Sequence, residues 1–161
     1  ELKSAVERIL GEPATYRPDL LGLPGLHVFR GDAINVAQGL GAHFDTQYEK
    51  MRFPVEPDEG AYPVSFTLPV QMPANGTGLQ VYDLNSKDLK RLSDSDGTIT
   101  LDELARGCDS RYYPYTVGTL VFHHGLLGHH VASSIVAGEH DERITLQGHG
   151  IRCGNQWVLY W

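Results

Sequence analysis

Apolar and polar positions follow two different periods along the chain. At residues 2–10 the apolar side chains recur every three or four positions, which predicts an amphipathic helix that ends at Gly11. Residues 26–31 alternate apolar and polar side chains, which predicts a short strand. The stretch 61–72 is rich in β-branched and aromatic residues and is expected to form another strand. The chain therefore opens with one helix and continues as strands.

Strand patterns separated by turn residues continue through the rest of the chain. The Asn75-Gly76 pair favours a tight hairpin, with residues 78–84 as the return strand after 61–72. Further strands are expected within residues 115–125 and 128–138, and a final hairpin within 142–161 with its turn at 154–156.

Residues 85–112 differ from their surroundings, because they are charged and polar with two short helical patterns. We interpret them as a partly helical insertion. Gly occurs 18 times and Pro 9 times, which favours many turns between short strands over long helices. Short strands with one N-terminal helix predict a mainly β fold, either a β-sandwich or a jelly roll. The 161 residues suit one domain with a sizeable core, so residues 1–161 are taken as a single domain.

Composition excludes several classes of protein. The formal net charge of −7 argues against nucleic-acid binding, and no apolar run is long enough to span a membrane. The two cysteines, Cys108 and Cys153, are too few for a disulfide framework or a zinc motif. We expect free thiols in a reducing compartment, the cytoplasm, and a small-molecule partner. The chain begins with Glu1 rather than Met, so an N-terminal part is expected to be missing.

The stretch "GAHFDTQY" carries a candidate pair of metal ligands, His43 and Asp45. Residues two apart on a strand point to the same face, so an imidazole and a carboxylate can reach a common point. They would be two of the three ligands of a 2-His-1-carboxylate triad. The protein has eight histidines, and candidates for the third ligand are His123, His124, His129 and His130.

A second pair of polar side chains shares a strand face later in the chain, at Arg143 and Thr145. An arginine can bind a carboxylate with two parallel hydrogen bonds, and a nearby hydroxyl can add another. This pair therefore predicts a site for a carboxylate ligand.

His-x-Asp, a distal His and Arg-x-Thr, in that order on a glycine-rich β chain, resemble the Fe(II)/2-oxoglutarate-dependent dioxygenase superfamily, small-molecule hydroxylase type. "VGTLVF" resembles the strand before the distal His, "LGHHV" the start of the next strand, and "ERITL" the arginine strand. The resemblance covers roughly residues 26–161. It implies a double-stranded β-helix, also called a jelly roll.

The resemblance also implies roles for residues. His43, Asp45 and His129 would be both the catalytic residues and the ligands of Fe(II). Arg143 and Thr145 would bind 2-oxoglutarate, and O2 would be the second cosubstrate. The product would be a hydroxylated small polar molecule, amino-acid-like in type. Halogenating relatives lack the carboxylate ligand, so the presence of Asp45 favours hydroxylation.

Adjacent strand residues face opposite sides, so only one of His129 and His130 can reach the metal. The match to the motif favours His129, but alternation alone leaves both open. Two spacings are long for the family. The first, between Asp45 and His129, is explained by the insertion at 85–112, and the second, between His129 and Arg143, by a longer turn through 136–142.

Two alternatives stay open. A cupin-like metalloenzyme would use the same fold and metal without 2-oxoglutarate. A non-enzymatic calcium- or ligand-binding β-sandwich would instead use residues 94–104, "DSDGTITLDEL", which resemble part of an EF-hand loop. Leu92 at the first ligand position supplies no oxygen, and Thr100 and Glu103 have the spacing of a helix capping box instead.

Overall fold

The computed structural model describes residues 1–38, 41–73, 76–89, 100–132 and 136–161. The helices are α1 (Leu2–Leu10), α2 (Asp32–Gln38) and α3 (Leu101–Arg106), with a 3-10 helix at Gln47–Lys50 and a helical turn at 86–89. The strands are β1 (Ala14–Tyr16), β2 (Gly25–Arg30), β3 (Val64–Gln71), β4 (Gly78–Asn85), β5 (Ser110–Pro114), β6 (Val121–His124), β7 (Leu127–Ala132), β8 (Glu142–Cys153) and β9 (Gln156–Tyr160). The prediction of a mainly β fold is therefore confirmed.

The strands form two sheets. The larger sheet has the order β1-β9-β8-β3-β6, with β2 also paired to β8, and the smaller has the order β5-β4-β7. β8 is the longest strand, and one of its edges is shared: β2 pairs along its first half and β9 along its second half. β3 pairs along the other edge of β8. β8 is thus the central strand of the larger sheet.

The predicted hairpin between 61–72 and 78–84 is wrong, although both stretches are strands. β3 pairs with β6 and β8 in the larger sheet, whereas β4 pairs with β5 and β7 in the smaller one. Asn75 lies outside the described residues, but Gly76 has the positive φ of 68° that a turn needs. The conformation of Gly76 therefore agrees with a turn. The hairpin does not form because other strands pair with both edges of β3 and of β4, and the two strands belong to different sheets.

Helix α1 covers the outer face of the larger sheet. It ends as predicted at Gly11, whose φ of 71° lets its N–H bond the carbonyl of Glu7. Val6 is fully buried and belongs to a core cluster with residues of β3 and β9. The other members of this cluster are Ala14, Val64, Phe66, Trp157 and Leu159.

The opposite face of the larger sheet is partly polar. In β3, Val64 and Phe66 belong to the core beneath α1, so alternation turns Ser65 and Thr67 to the other face, where both are buried. At the β9 end, that face is closed by a second apolar cluster formed by Leu21, Phe53, Ile151, Cys153, Val158 and Tyr160. Buried polar side chains next to this apolar cluster indicate the region of the larger sheet where a ligand-binding site can form.

The predicted insertion contains both a helix and a strand. α3 begins with the predicted capping box, in which Thr100 and Glu103 exchange side-chain and backbone hydrogen bonds. Strand β5 was not predicted. Most of the calcium-loop prediction, including Asp94 and Asp96, lies outside the described residues. None of the described helices combines the length and apolar character that crossing a bilayer requires.

Candidate metal centre

Three sequence-predicted ligands lie together between the two sheets. Nε2 of His129 is 3.3 Å from Oδ2 of Asp45, and Nε2 of His43 is 4.0 Å from Oδ1 of Asp45. One donor atom from each of the three residues lies within 4.8 Å of the others. An imidazole pair and one carboxylate are the donors that Fe(II), like other first-row divalent metals, accepts.

Backbone hydrogen bonds position these side chains. His43 and His129 form an isolated antiparallel bridge, which adds residue 43 to the edge of β7. The N–H of Asp45 donates to the carbonyl of Gly125 at 2.8 Å, and the N–H of Gly125 donates to the carbonyl of Pro63 at 2.8 Å. The ligands are therefore held by main-chain bonds on both sides of the tight turn between β6 and β7.

A hydrogen bond to the backbone fixes which ring nitrogen of His129 faces the Asp45 carboxylate. Nδ1 of His129 lies 2.8 Å from the carbonyl oxygen of Leu127, which can only accept, so Nδ1 carries the proton. Nε2 is therefore the ring nitrogen of His129 that is left for a metal, and it lies 3.3 Å from Oδ2 of Asp45. Nδ1 of His43 similarly points to the carbonyl of Gly41 at 3.4 Å. Two imidazole nitrogens and one carboxylate oxygen that converge in this way fit a cation between them.

Electrostatics favour the ligating forms of Asp45 and His43. Asp45 is only 4% exposed; burial would raise the pKa of its carboxyl, but the nearby His129, His149 and Ser65 outweigh burial and hold this pKa well below its usual range. Burial, followed by the neighbouring His129, lowers the pKa of His43. The site thus holds an ionised carboxylate beside a neutral imidazole, as divalent metals require.

His130 points away from this cluster. Its ring stacks on Tyr82 with centroids 5.7 Å apart, and its Nδ1 lies 3.2 Å from the Tyr82 hydroxyl. Of the two neighbours that the sequence left open, the structure brings His129 next to His43 and Asp45.

A row of polar side chains lies under the three donors. Ser65 on β3 stands opposite His123 of β6 on one side and His149 of β8 on the other. The Ser65 hydroxyl donates to Oδ2 of Asp45 and lies 3.0 Å from Nδ1 of His149. The His123 ring is 4.2 Å from that of His129, and burial lowers the pKa of His123 to about 3, so it is neutral.

Arg143 and Thr145 lie further along β8 on the same face as His149, because the three positions differ by even numbers. Arg143 is 2% exposed, and its guanidinium carbon lies 4.4 Å above the centre of the Phe29 ring. Within the described residues, Nε and Nη1 of Arg143 have no hydrogen-bond partner. Thr145 is fully buried, and its hydroxyl accepts a bond from Gln147.

A cavity of about 130 Å³ opens onto the donor cluster. The three candidate ligands line this cavity. Its other walls are mostly polar or aromatic and include Ser65, Thr67, Tyr115, His123, Val131, Gln147, His149 and Trp161. Arg143 does not line this cavity but acts electrostatically on Tyr115, which does. Burial raises the pKa of the Tyr115 phenol, whereas a hydrogen bond to Thr67 and the charge of Arg143 lower it. A larger groove of about 540 Å³ follows β4, β5 and β7 but contains none of the predicted site residues.

Two other polar residues, His124 and Arg152, do not join the cluster of three donors. His124 stacks on Tyr62 with ring centroids 4.0 Å apart. Arg152, a second arginine of β8, bonds to Glu12 and Asp58.

Ser65 and Tyr115 line the cavity but were not singled out in the sequence. For Ser65 a signal existed: Ser65 and Thr67 alternate with Val64 and Phe66, so one face of an otherwise apolar strand is polar. Tyr115 gave no such signal, because it lies in a connection whose path depends on the fold.

Comparison with solved structures supports the architecture. The fold is similar to that of an N-substituted L-amino acid dioxygenase from Burkholderia ambifaria, with a TM-score of 0.56 at 11% sequence identity, covering 86% of this chain and 52% of that one. A structure of such a dioxygenase in complex with alpha-KG gives a TM-score of 0.55 at 13% identity, with the same coverage. The chain thus spans about half the length of these proteins. Neither the scan against known protein families nor the search of curated proteins finds a match.

Proposed function

We propose that this chain is the oxygenase domain of a non-haem Fe(II)/2-oxoglutarate-dependent dioxygenase with a double-stranded β-helix fold. The reaction couples oxidative decarboxylation of 2-oxoglutarate to hydroxylation of a small, polar, amino-acid-like substrate. The fold likeness to amino acid dioxygenases supports this class of enzyme, and the substrate type is carried over from those proteins.

His43, Asp45 and His129 would hold the iron. They fit it in donor type and in convergence, and three protein ligands leave coordination positions open for a keto acid and O2. When bound, Fe(II) with 2-oxoglutarate and O2 supplies the oxidising power for C–H hydroxylation.

The single observation that carries the proposal is the buried guanidinium of Arg143. A buried cation without an anionic partner is costly, so its unpaired Nε and Nη1 call for a carboxylate that the described residues do not supply. The distal carboxylate of 2-oxoglutarate meets this need, and the Thr145 hydroxyl lies two residues further on the same strand face.

The remaining residues position and enclose the reactants. Phe29 packs on the Arg143 guanidinium and restricts its orientation. Trp161 stacks on His149 with ring centroids 5.4 Å apart and lines the cavity, where its indole limits access of water to the donors.

The alternatives account for less of the site. A cupin-like metalloenzyme without 2-oxoglutarate would use the three donors but leave buried Arg143 with no anionic partner among the described residues. A calcium- or ligand-binding module would have no use for either feature.

The decisive experiment is an anaerobic titration with Fe(II) and then 2-oxoglutarate, followed by visible absorption. Chelation of the keto acid to the iron is expected to give a metal-to-ligand charge-transfer band that is absent in Asp45→Ala. Iron binding without a band would favour the cupin-like alternative. Failure to bind iron would exclude both metalloenzymes.

A further inference from the structure

The carboxylate of Asp45 is held from below by a chain of two hydrogen bonds. The Ser65 hydroxyl has one hydrogen, and it donates that hydrogen to Oδ2 of Asp45. Nδ1 of His149, 3.0 Å from the same hydroxyl oxygen, must then be the donor to it. The chain therefore runs from His149 through Ser65 to Asp45, and it defines the tautomer of His149.

The three members come from separate parts of the fold. Ser65 and His149 stand directly opposite each other on β3 and β8, so strand register fixes their separation. Asp45 reaches them from the segment paired with β7. All three side chains are less than a tenth exposed, so water does not compete strongly for their hydrogen bonds.

The surrounding packing leaves the carboxylate little freedom. A Cβ atom on Gly125 would lie 2.9 Å from Oγ of Ser65 and 3.1 Å from Cβ of Asp45. The absence of a side chain at residue 125 is therefore what allows the hydroxyl and the carboxylate to meet.

We infer that Ser65, oriented by His149, is a positioning residue that keeps Asp45 from binding a metal through both carboxylate oxygens. The inference rests on the proposed function. A carboxylate that chelated through both oxygens would occupy one of the coordination positions that the keto acid and O2 need. A hydrogen bond to one oxygen disfavours that mode and fixes the rotation of the carboxylate, as partners of metal ligands commonly do.

The test is a titration of metal-free protein with Co(II), in which visible absorption reports both the affinity and the ligands around the cobalt. We expect Ser65→Ala to bind Co(II) about 10- to 100-fold more weakly. Its visible spectrum should also differ from that of wild type, because the freed oxygen takes a coordination position that water holds in the wild-type site. His149→Asn places an amide N–H where Nδ1 stood and should behave like wild type, whereas His149→Leu should behave like Ser65→Ala.

The matched control is Thr77→Val, which removes a hydroxyl that is equally buried but has no hydrogen-bond partner within the described residues. Thermal unfolding of each metal-free variant separates folding defects from metal binding. Wild-type affinity and absorption in Ser65→Ala would overturn the inference, as would an equal loss in Thr77→Val.

The same titration separates this inference from the proposed function. If wild type binds no cobalt, both fail. If wild type binds cobalt but its spectrum does not respond to 2-oxoglutarate, the dioxygenase proposal fails, and the Ser65→Ala comparison still decides the role of Ser65.

Discussion

His43 and His129 donate their backbone N–H groups to each other's carbonyl oxygens, at 2.9 and 3.0 Å. Their imidazole rings lie with centroids 4.5 Å apart. Main-chain pairing thus brings together two side chains that are far apart in the sequence. Because the backbone sets this geometry, either imidazole can be removed without removing the pairing that aligns the strands.

His129→Ala is therefore expected to abolish binding of Fe(II) or Co(II) while the protein stays folded. His130→Ala should bind metal like wild type, because the His130 ring packs on Tyr82 instead. Calorimetric titration of the two metal-free variants measures the difference. The opposite pattern would make His130 the ligand and contradict the site described above.

Arg143→Ala should weaken 2-oxoglutarate binding to the iron-loaded protein by about 2–5 kcal/mol, since it removes one partner of an enclosed charge pair. Arg152→Ala is the control on the same strand, because Arg152 bonds to Glu12 and Asp58 outside the cavity. The titration is followed by the charge-transfer band under anaerobic conditions. Equal affinities in Arg143→Ala and wild type would remove the carboxylate-binding role from Arg143.

Gly125→Ala should disturb the metal site through packing alone. The new methyl group would lie within about 3 Å of Ser65, Asp45 and Pro63, and overpacking of this kind costs about 1–3 kcal/mol of stability. Gly107→Ala is the matched control, because the nearest atom to a Cβ there is 3.6 Å away and its φ of −95° suits alanine. Denaturant unfolding should show a loss at residue 125 only, together with weaker metal binding.

The two cysteines should differ in reactivity. Burial, with the nearby charges of Asp58 and Glu56, raises the pKa of Cys153 to about 11, so its thiolate is scarce near pH 8. Cys108 is partly exposed. Iodoacetamide near pH 8 should modify Cys108 in the native protein and spare Cys153, as read by peptide mass spectrometry. Both should react in denaturant, and equal native rates would contradict the burial of Cys153.

Short-range sequence patterns were enough to predict much of the fold and to identify candidate metal ligands. The helix at 2–10, its end at Gly11 and the final hairpin follow from local periodicity and turn residues. His43 and Asp45 were paired because residues two apart share a strand face. These features depend on neighbours within a few positions, which is why sequence alone reaches them.

Features that depend on pairing between distant strands were out of reach. The hairpin predicted at Asn75-Gly76 failed because β3 and β4 each find partners elsewhere. Ser65 becomes a neighbour of His149 only through the register of β3 against β8. The residues next to Ser65 in the sequence do not predict how β3 aligns with β8.

Strand β8 carries Arg143, Thr145, Gln147 and His149 on one face, and its alternate side chains point the other way. A shift of β8 by a single residue would turn all four to the other face together and bring apolar Ile144 and Leu146 to the face that they leave. A molecule with this misalignment would therefore lose Arg143, Thr145 and His149 from the candidate site together rather than one at a time. The alignment of one strand thus sets this whole row of polar side chains at once.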